Sequence, residues 1–161
     1  MKKRLLSISL TLIMLMGMLL FMSASDVRAS EGTSTLDGSY LTHDMESVGY
    51  TTKITRGVDL FTGYSKCVVQ GPGKIYVGGT TIAAHVVDSV RIAVIVERAK
   101  DGDTTWEYYD SWEKENVNAD RAASSRALTV EGGYYYRVRC LHGANKDVSS
   151  SFTNGVFVEK P

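Results

Sequence analysis

The chain has 161 residues, with 18 basic and 18 acidic side chains and 43% hydrophobic residues. This length allows one domain with a single core and excludes two large domains. The balanced charge gives no basic surface of the kind that binds nucleic acid, so we expect no nucleic-acid partner.

Residues 1–29 have the pattern of a secretory signal peptide. Basic residues at positions 2–4 precede a mainly apolar run over residues 5–22, and a suitable cleavage site ends at Ala29. We therefore predict a secreted, extracellular protein that has no membrane attachment after cleavage. Two alternatives remain open: cleavage after Ser25, and retention of the apolar run as an anchor helix.

The rest of the chain divides into a polar arm and a β-rich domain. Residues 30–49 are polar and small, and we interpret them as a flexible N-terminal arm. Residues 50–161 are rich in Val, Ile, Thr and Tyr, with glycines between short segments and no helical periodicity. This composition predicts an all-β domain of about seven to nine antiparallel strands. The polar residues 115–125 are interpreted as a loop or a short helical turn.

The clearest predicted strand covers residues 90–98. Its even-numbered side chains from position 90 to 96 are all aliphatic, whereas the odd-numbered ones are Arg91, Ala93, Ile95 and Glu97, which predicts that the even-numbered side chains face the core. These residues are Val90, Ile92, Val94 and Val96.

An aromatic strand follows after a turn at residues 100–103, and the two strands form a hairpin because Asp-Gly accepts positive φ. Trp106, Tyr108 and Trp112 share one parity in this second strand. We predict that they point into the core. The alternative is a flat surface platform that stacks on sugar rings.

Two cysteines follow the leader, Cys67 and Cys140, and each lies on the predicted inward face of a strand. Exported proteins with an even number of cysteines usually pair them, so we predict a disulfide between Cys67 and Cys140. A bridge between two stacked sheets is typical of a two-sheet sandwich. The alternatives are two free thiols or a catalytic thiol.

A candidate binding face lies on the strand over residues 134–142. Tyr135, Arg137 and Arg139 are on its predicted outward side, and we expect Arg91 of a neighbouring strand beside them. An aromatic ring flanked by guanidinium groups can hold an anionic or sugar ligand, so these four residues are the predicted binding site. The alternative is ordinary cross-strand pairing of the arginines with the acidic residues Glu97 or Glu107.

Residues 128–140, Leu-Thr-Val-Glu-Gly-Gly-Tyr-Tyr-Tyr-Arg-Val-Arg-Cys, resemble the late strands of fibronectin type III and related immunoglobulin-like domains. There a leucine precedes the tyrosine that opens a strand. The resemblance implies an immunoglobulin-like or fibronectin type III-like two-sheet sandwich. It also implies that Tyr134 is the corner tyrosine, whose hydroxyl bonds back to the preceding turn. The usual proline of that turn is absent.

The domain as a whole is also similar to a family of small exported proteins of Gram-positive anaerobes, a domain of unknown function. The segments that carry this likeness include residues 64–67 and 133–139. The resemblance implies export and a β fold, and it supplies no catalytic or binding residues.

No sequence motif assembles a catalytic or metal centre. His43, His85 and His142 are far apart and lack a neighbouring Cys or His, and no nucleophile-elbow motif occurs. We therefore expect no cofactor, no metal and no catalytic residue. The predicted function is a non-enzymatic binding module for a cell-envelope glycan, an envelope polymer or a protein. The alternative is a small secreted effector, such as a bacteriocin-like toxin or a hydrolase inhibitor.

Overall fold

The structure is a computed structural model that describes residues 35–51 and 57–161. Within these ranges the chain forms nine strands and no helix, which confirms the predicted all-β class. The strands are β1 (Thr35–Leu36), β2 (Ser39–Thr42), β3 (Glu46–Tyr50), β4 (Leu60–Gly71), β5 (Lys74–Ala99), β6 (Glu107–Thr129), β7 (Tyr134–Ala144), β8 (Asp147–Phe152) and β9 (Gly155–Val158). The predicted signal peptide, residues 1–29, lies outside the described residues. Among those that are described, no helix has the length and hydrophobicity needed to cross a membrane.

One curled sheet contains all the described strands. Its order is β1-β2-β9-β7-β5-β4-β3, with β6 paired to β5 and β8 paired to β7. The pairing of β2 with β9 is parallel, and the other pairings are antiparallel. The predicted arrangement of two separate sheets is replaced by a continuous sheet that curls into half a barrel.

The sheet is continuous because β5 runs through both of its halves. The first part of β5, residues 74–83, pairs with β4, whereas the last part, residues 90–99, pairs with β7. β6 pairs with both parts of β5, and the register of this pairing shifts between Ile82 and Val87 of β5. Such irregularities bend a strand and increase its twist. The pairing of β5 with β6 is interrupted between Ile82 and Val87 and then resumes, so the ribbon continues across the place where a sandwich would change sheets.

The polar segment 115–125, predicted as a loop or a helical turn, belongs to β6 instead. Among the strands that the structure describes, β6 pairs only with β5, so it is an edge strand, and most of its side chains are exposed. An edge strand tolerates polar residues on both faces, which removes the alternation by which a strand is recognised.

The main core lies between the two halves of the sheet. The even-numbered aliphatic residues of β5 point into it as predicted and are at most 1% exposed: Val90, Ile92, Val94 and Val96. They pack with Val77 from the first part of β5 and Val138 from β7. Burial of each such side chain contributes about 1.5–3 kcal/mol relative to exposure, so this core is the main source of stability.

Cys67 and Cys140 are both fully buried in this core, on β4 and β7, but they are free cysteines and not the predicted disulfide. The Sγ of Cys67 donates toward the Tyr136 carbonyl oxygen, and the Sγ of Cys140 donates toward the Gly78 carbonyl oxygen, each at 3.8 Å. Each thiol is therefore directed at the backbone of the opposite half and not at the other sulfur. Alternation predicts which face of a strand a residue lies on. It does not predict which residue of the opposite half lies across from it.

A bulge in β6 changes the direction of the aromatic residues. Tyr108 pairs with Glu97 and Asp110 pairs with Val96, so Tyr109 is an extra residue that reverses the alternation. Trp112 is buried in the main core as predicted. Tyr108 is instead 63% exposed, and Trp106 packs on the outer side of the sheet. The prediction that all three rings share one inward face is wrong for these two residues.

The tyrosine whose hydroxyl bonds back to the turn before β7 is Tyr136 and not the predicted Tyr134. The hydroxyl of Tyr136 donates to the carbonyl oxygen of Glu131 in the turn before β7, at 2.8 Å. Tyr134 is half-buried, and its ring lies 4.5 Å from the guanidinium carbon of Arg98. Tyr136 lies two positions after Tyr134 along β7. It is fully buried, and its hydroxyl makes the bond to the turn.

Candidate functional site

The structure does not bring the four predicted binding residues together as one open surface. All four lie on β5 or β7, and we call the side of these strands directed away from the main core the outer face. Tyr135 and Arg137 are buried there, Arg139 is half-buried, and Arg91 is exposed. The outer face is therefore divided into a covered part around Arg137 and an open part around Arg91.

Arg137 is held by two carboxylates and is only 1% exposed. Its Nε donates to Glu97 Oε2 at 2.7 Å, and its Nη2 donates to Asp37 Oδ2 at 2.8 Å. Its Nη1 donates to Ser39 Oγ at 3.0 Å, and the guanidinium carbon lies 4.5 Å from the Trp106 ring. The cross-strand pairing considered as the alternative is thus present with Glu97.

The same carboxylate of Asp37 also accepts a hydrogen bond from Nη2 of Arg139 at 3.0 Å. The hydrogen bond from Arg137, followed by the charge of Arg137, lowers the pKa of Asp37 below its ordinary value. A carboxylate between two guanidinium groups is the arrangement predicted for a bound anion. Here the chain itself supplies the anion.

The cover consists of β1, β2 and the turn between them, which lie within the predicted flexible arm. Asp37 and Gly38 both have positive φ, 49° and 78°, as a type I′ hairpin turn requires. Leu36 and Leu41 pack with Tyr135 in a small second core. An Asp-Gly pair between apolar residues is a hairpin signal, and it could have identified this hairpin from the sequence.

The open part of the outer face contains a groove of about 850 Å³ across β6, β5, β7 and β8. We call it the β5–β7 groove. Its lining includes Arg91, Ala93, Glu113, Leu141, Gly143 and Val148. Arg91 is the one residue of the predicted site that lines it.

Cross-strand register builds this groove in two rows. In one row Ala93 lies between Glu113 and Leu141, and in the next row Arg91 lies between Glu115 and Gly143. Ala93 is small and leaves a depression in the middle of the face, whereas the side chain of Arg91 covers Gly143. Leu141 is 48% exposed, and Val148 of β8, which pairs with Gly143 in the next row, is 47% exposed.

Charged groups border the groove without being neutralised by each other. Arg91 lies across Gly143, because a Cβ on that glycine would be 2.6 Å from Arg91 Nε. The guanidinium of Arg91 makes no ion pair with any residue of the described ranges, and neither does the carboxylate of Glu113. The Glu115 carboxylate accepts a hydrogen bond from the Ser89 hydroxyl at 2.5 Å. The groove thus offers both signs of charge around an aliphatic centre.

His142 lies on β7 next to the groove, but its ring points into the protein. Its Nδ1 is 2.8 Å from Thr81 Oγ1, and its Nε2 is 2.8 Å from Ser151 Oγ. Because Thr81 gives its own hydrogen to the Arg91 carbonyl oxygen, His142 donates from Nδ1 and accepts from Ser151 at Nε2.

The Ser151–His142 contact resembles a nucleophile and its base, but it is closed to substrate. Ser151 is 1% exposed and His142 is 2% exposed. Burial lowers the pKa of His142 to about 4, so the imidazole is neutral at ordinary pH. The network satisfies buried polar groups, and it lacks the access that a catalytic site needs.

Comparison with known proteins gives no relative for this chain: no family model, no curated protein and no solved structure matches it.

Proposed function

We propose that this protein is a secreted, non-enzymatic binding module whose β5–β7 groove holds a segment of a partner protein. The observation that carries the proposal is the pair of open rows of side chains across β6, β5 and β7: aliphatic Leu141 lies in the row of the unpaired Glu113, and the unpaired Arg91 lies in the next row. An exposed apolar centre with a polar rim is the common anatomy of a protein-binding surface.

The chemistry of the groove favours a protein segment over a neutral polysaccharide. Sugar sites usually present aromatic rings to the ligand, and the residues that line this groove include no tyrosine, tryptophan or phenylalanine. A peptide can supply an aliphatic side chain to Leu141, an acidic side chain to Arg91 and a basic one to Glu113. Charges of both signs would also determine the orientation of the bound segment.

A displayed library of random peptides, selected on the purified protein, tests this function. We expect enriched peptides that combine an aliphatic residue with charged residues. Leu141→Asp should weaken their binding at least about tenfold, because it places a charge at the apolar centre. Val117→Asp is the matched control, since Val117 is also exposed but does not line the groove.

Two outcomes would contradict the proposal. One is a set of peptides that bind the Leu141→Asp protein as tightly as the unchanged protein. The other is turnover of glycosides, esters or peptides by the purified protein, abolished by one substitution, which would make it an enzyme.

Export is a second part of the proposal, supported by the basic start, the apolar run and the cleavage site within residues 1–29. Mass spectrometry of the protein recovered outside the producing cell should give an N-terminus at Ser30. Recovery of the whole chain only with the membrane fraction would favour an anchor.

We also propose that the likeness to fibronectin type III and immunoglobulin-like sandwiches concerns the segment around the β6–β7 turn. The hydrogen bond from Tyr136 to Glu131 supports this likeness, because it repeats the tyrosine-corner arrangement. Deletion scanning would test it: the β6–β7 turn should tolerate no change in length.

A further inference from the structure

A second cleft lies on the other half of the sheet, across β4, the first part of β5 and the end of β6. It has a volume of about 270 Å³. Its lining includes Tyr64, Lys66, Tyr76, Gly78, Thr80 and Ser125, and we call it the tyrosine cleft. None of these residues lines the β5–β7 groove.

The floor of the tyrosine cleft is a glycine. Gly78 lies between Lys66 of β4 and Ser125 of β6 in the sheet register. Its neighbours on the same face of β5 are Tyr76 and Thr80, two residues away on either side. A Cβ at position 78 would lie 2.5 Å from the Cβ of Ser125, so the glycine lets β6 pack closely, and the larger residues around it border the depression.

Two tyrosine rings border this depression, and hydrogen bonds hold both in place. The Tyr76 hydroxyl donates to Ser125 Oγ at 2.8 Å, and the Thr80 hydroxyl donates to the Tyr64 hydroxyl at 3.0 Å. Rings that are already ordered lose little entropy when a ligand binds, which favours affinity.

The cleft also retains hydrogen-bonding capacity. In each hydroxyl pair one hydrogen is used within the pair, so the hydrogens of the Ser125 and Tyr64 hydroxyls remain for a ligand. The ammonium of Lys66 is neutralised by Glu46 at 2.9 Å. The cleft therefore suits a polar ligand without net charge.

We propose that the tyrosine cleft binds one pyranose ring of a neutral polysaccharide. A sugar ring has an apolar C–H face that packs on tyrosine rings, and its hydroxyl groups can bond to Tyr64 and Ser125. The volume of the cleft lies just under the range of about 300–1,000 Å³ for drug-sized ligands, which fits a single ring and not a longer buried chain.

Titration calorimetry of the purified protein with cellohexaose, maltohexaose, chitohexaose and mannohexaose tests the proposal. At least one of these hexasaccharides should bind with a Kd below about 1 mM. Tyr64→Ala and Tyr76→Ala should each weaken this binding at least about tenfold. Ala123→Tyr should also abolish it by filling the cleft from β6, and this change removes no contact of the tyrosines.

Tyr108→Ala is the matched control, because Tyr108 is an exposed tyrosine outside the cleft, and it should leave the affinity unchanged. Arg91→Ala should also leave it unchanged, since Arg91 lines the other site. The proposal is overturned if no hexasaccharide binds, if binding survives both tyrosine changes in folded protein, or if adenosine binds there in place of the sugars.

Discussion

Asp37 neutralises Arg137, a residue 100 positions later in the chain, through a 2.8 Å contact between Oδ2 and Nη2. The contact joins the β1–β2 turn to the middle of β7. It explains why a segment with a polar sequence is ordered against the domain. The arginine is almost fully buried, so the loss of Asp37 leaves a positive charge that is poorly compensated and out of reach of water.

We expect Asp37→Asn to lower the free energy of unfolding by about 1–3 kcal/mol, because hydrogen bonds to charged groups contribute this much and Glu97 alone would then balance Arg137. Urea denaturation followed by tryptophan fluorescence measures the effect, since Trp106 lies against the guanidinium. Glu46→Gln, which breaks the exposed pair with Lys66, is the control and should cost less than about 1 kcal/mol. Equal effects of the two substitutions would contradict this role of Asp37.

Tyr136→Phe should lower the free energy of unfolding by about 0.5–1.5 kcal/mol, because it removes the hydroxyl that bonds to the Glu131 carbonyl oxygen and keeps the ring. Tyr134→Phe is the matched control and should have almost no effect. Thermal or urea denaturation of both variants shows which of the two hydroxyls stabilises the fold. A larger effect for Tyr134→Phe would mean that the hydroxyl of Tyr134, and not that of Tyr136, makes the stabilising hydrogen bond.

The sequence predicted the interior of β5 well, because β-branched residues occupy each even-numbered position from Val90 to Val96 and all four lie in the core. The same rule failed in β6, since one extra residue at Tyr109 reverses the faces before it. A bulge of this kind cannot be recognised from the hydrophobic periodicity of the sequence.

The candidate site was predicted only in part, for a different reason. The alternation of side chains along β7 correctly predicted that Arg137 and Arg139 lie on the outer face. It could not show that the β1–β2 hairpin covers that face. The groove around Arg91 and Leu141 depends on which strands are neighbours. That information comes from the path of the β5–β6 ribbon, and single strands do not carry it.

The thiols of Cys67 and Cys140 should be unreactive in the folded protein. Burial raises the pKa of each to about 12, so neither forms a thiolate at pH 8. Iodoacetamide should add no label under native conditions and two labels after denaturation without reductant, as read by mass spectrometry. Failure to label the denatured, unreduced protein would mean that the predicted disulfide forms after all.

His142 should make stability depend on pH below neutrality. Its pKa is lowered to about 4 from an ordinary value of 6.5, so on acidification the unfolded chain takes up a proton before the folded one does. The contribution of the neutral His142 to the free energy of unfolding is complete above pH 6.5 and is lost as the pH falls toward 4.

The expected loss from His142 over this interval is about 3 kcal/mol. It is measured as the difference in unfolding free energy between the unchanged protein and His142→Gln at pH 7 and pH 4. The comparison removes the effect of carboxylates that titrate in both proteins. If His142→Gln has the same pH dependence as the unchanged protein, the buried imidazole is not the group that titrates.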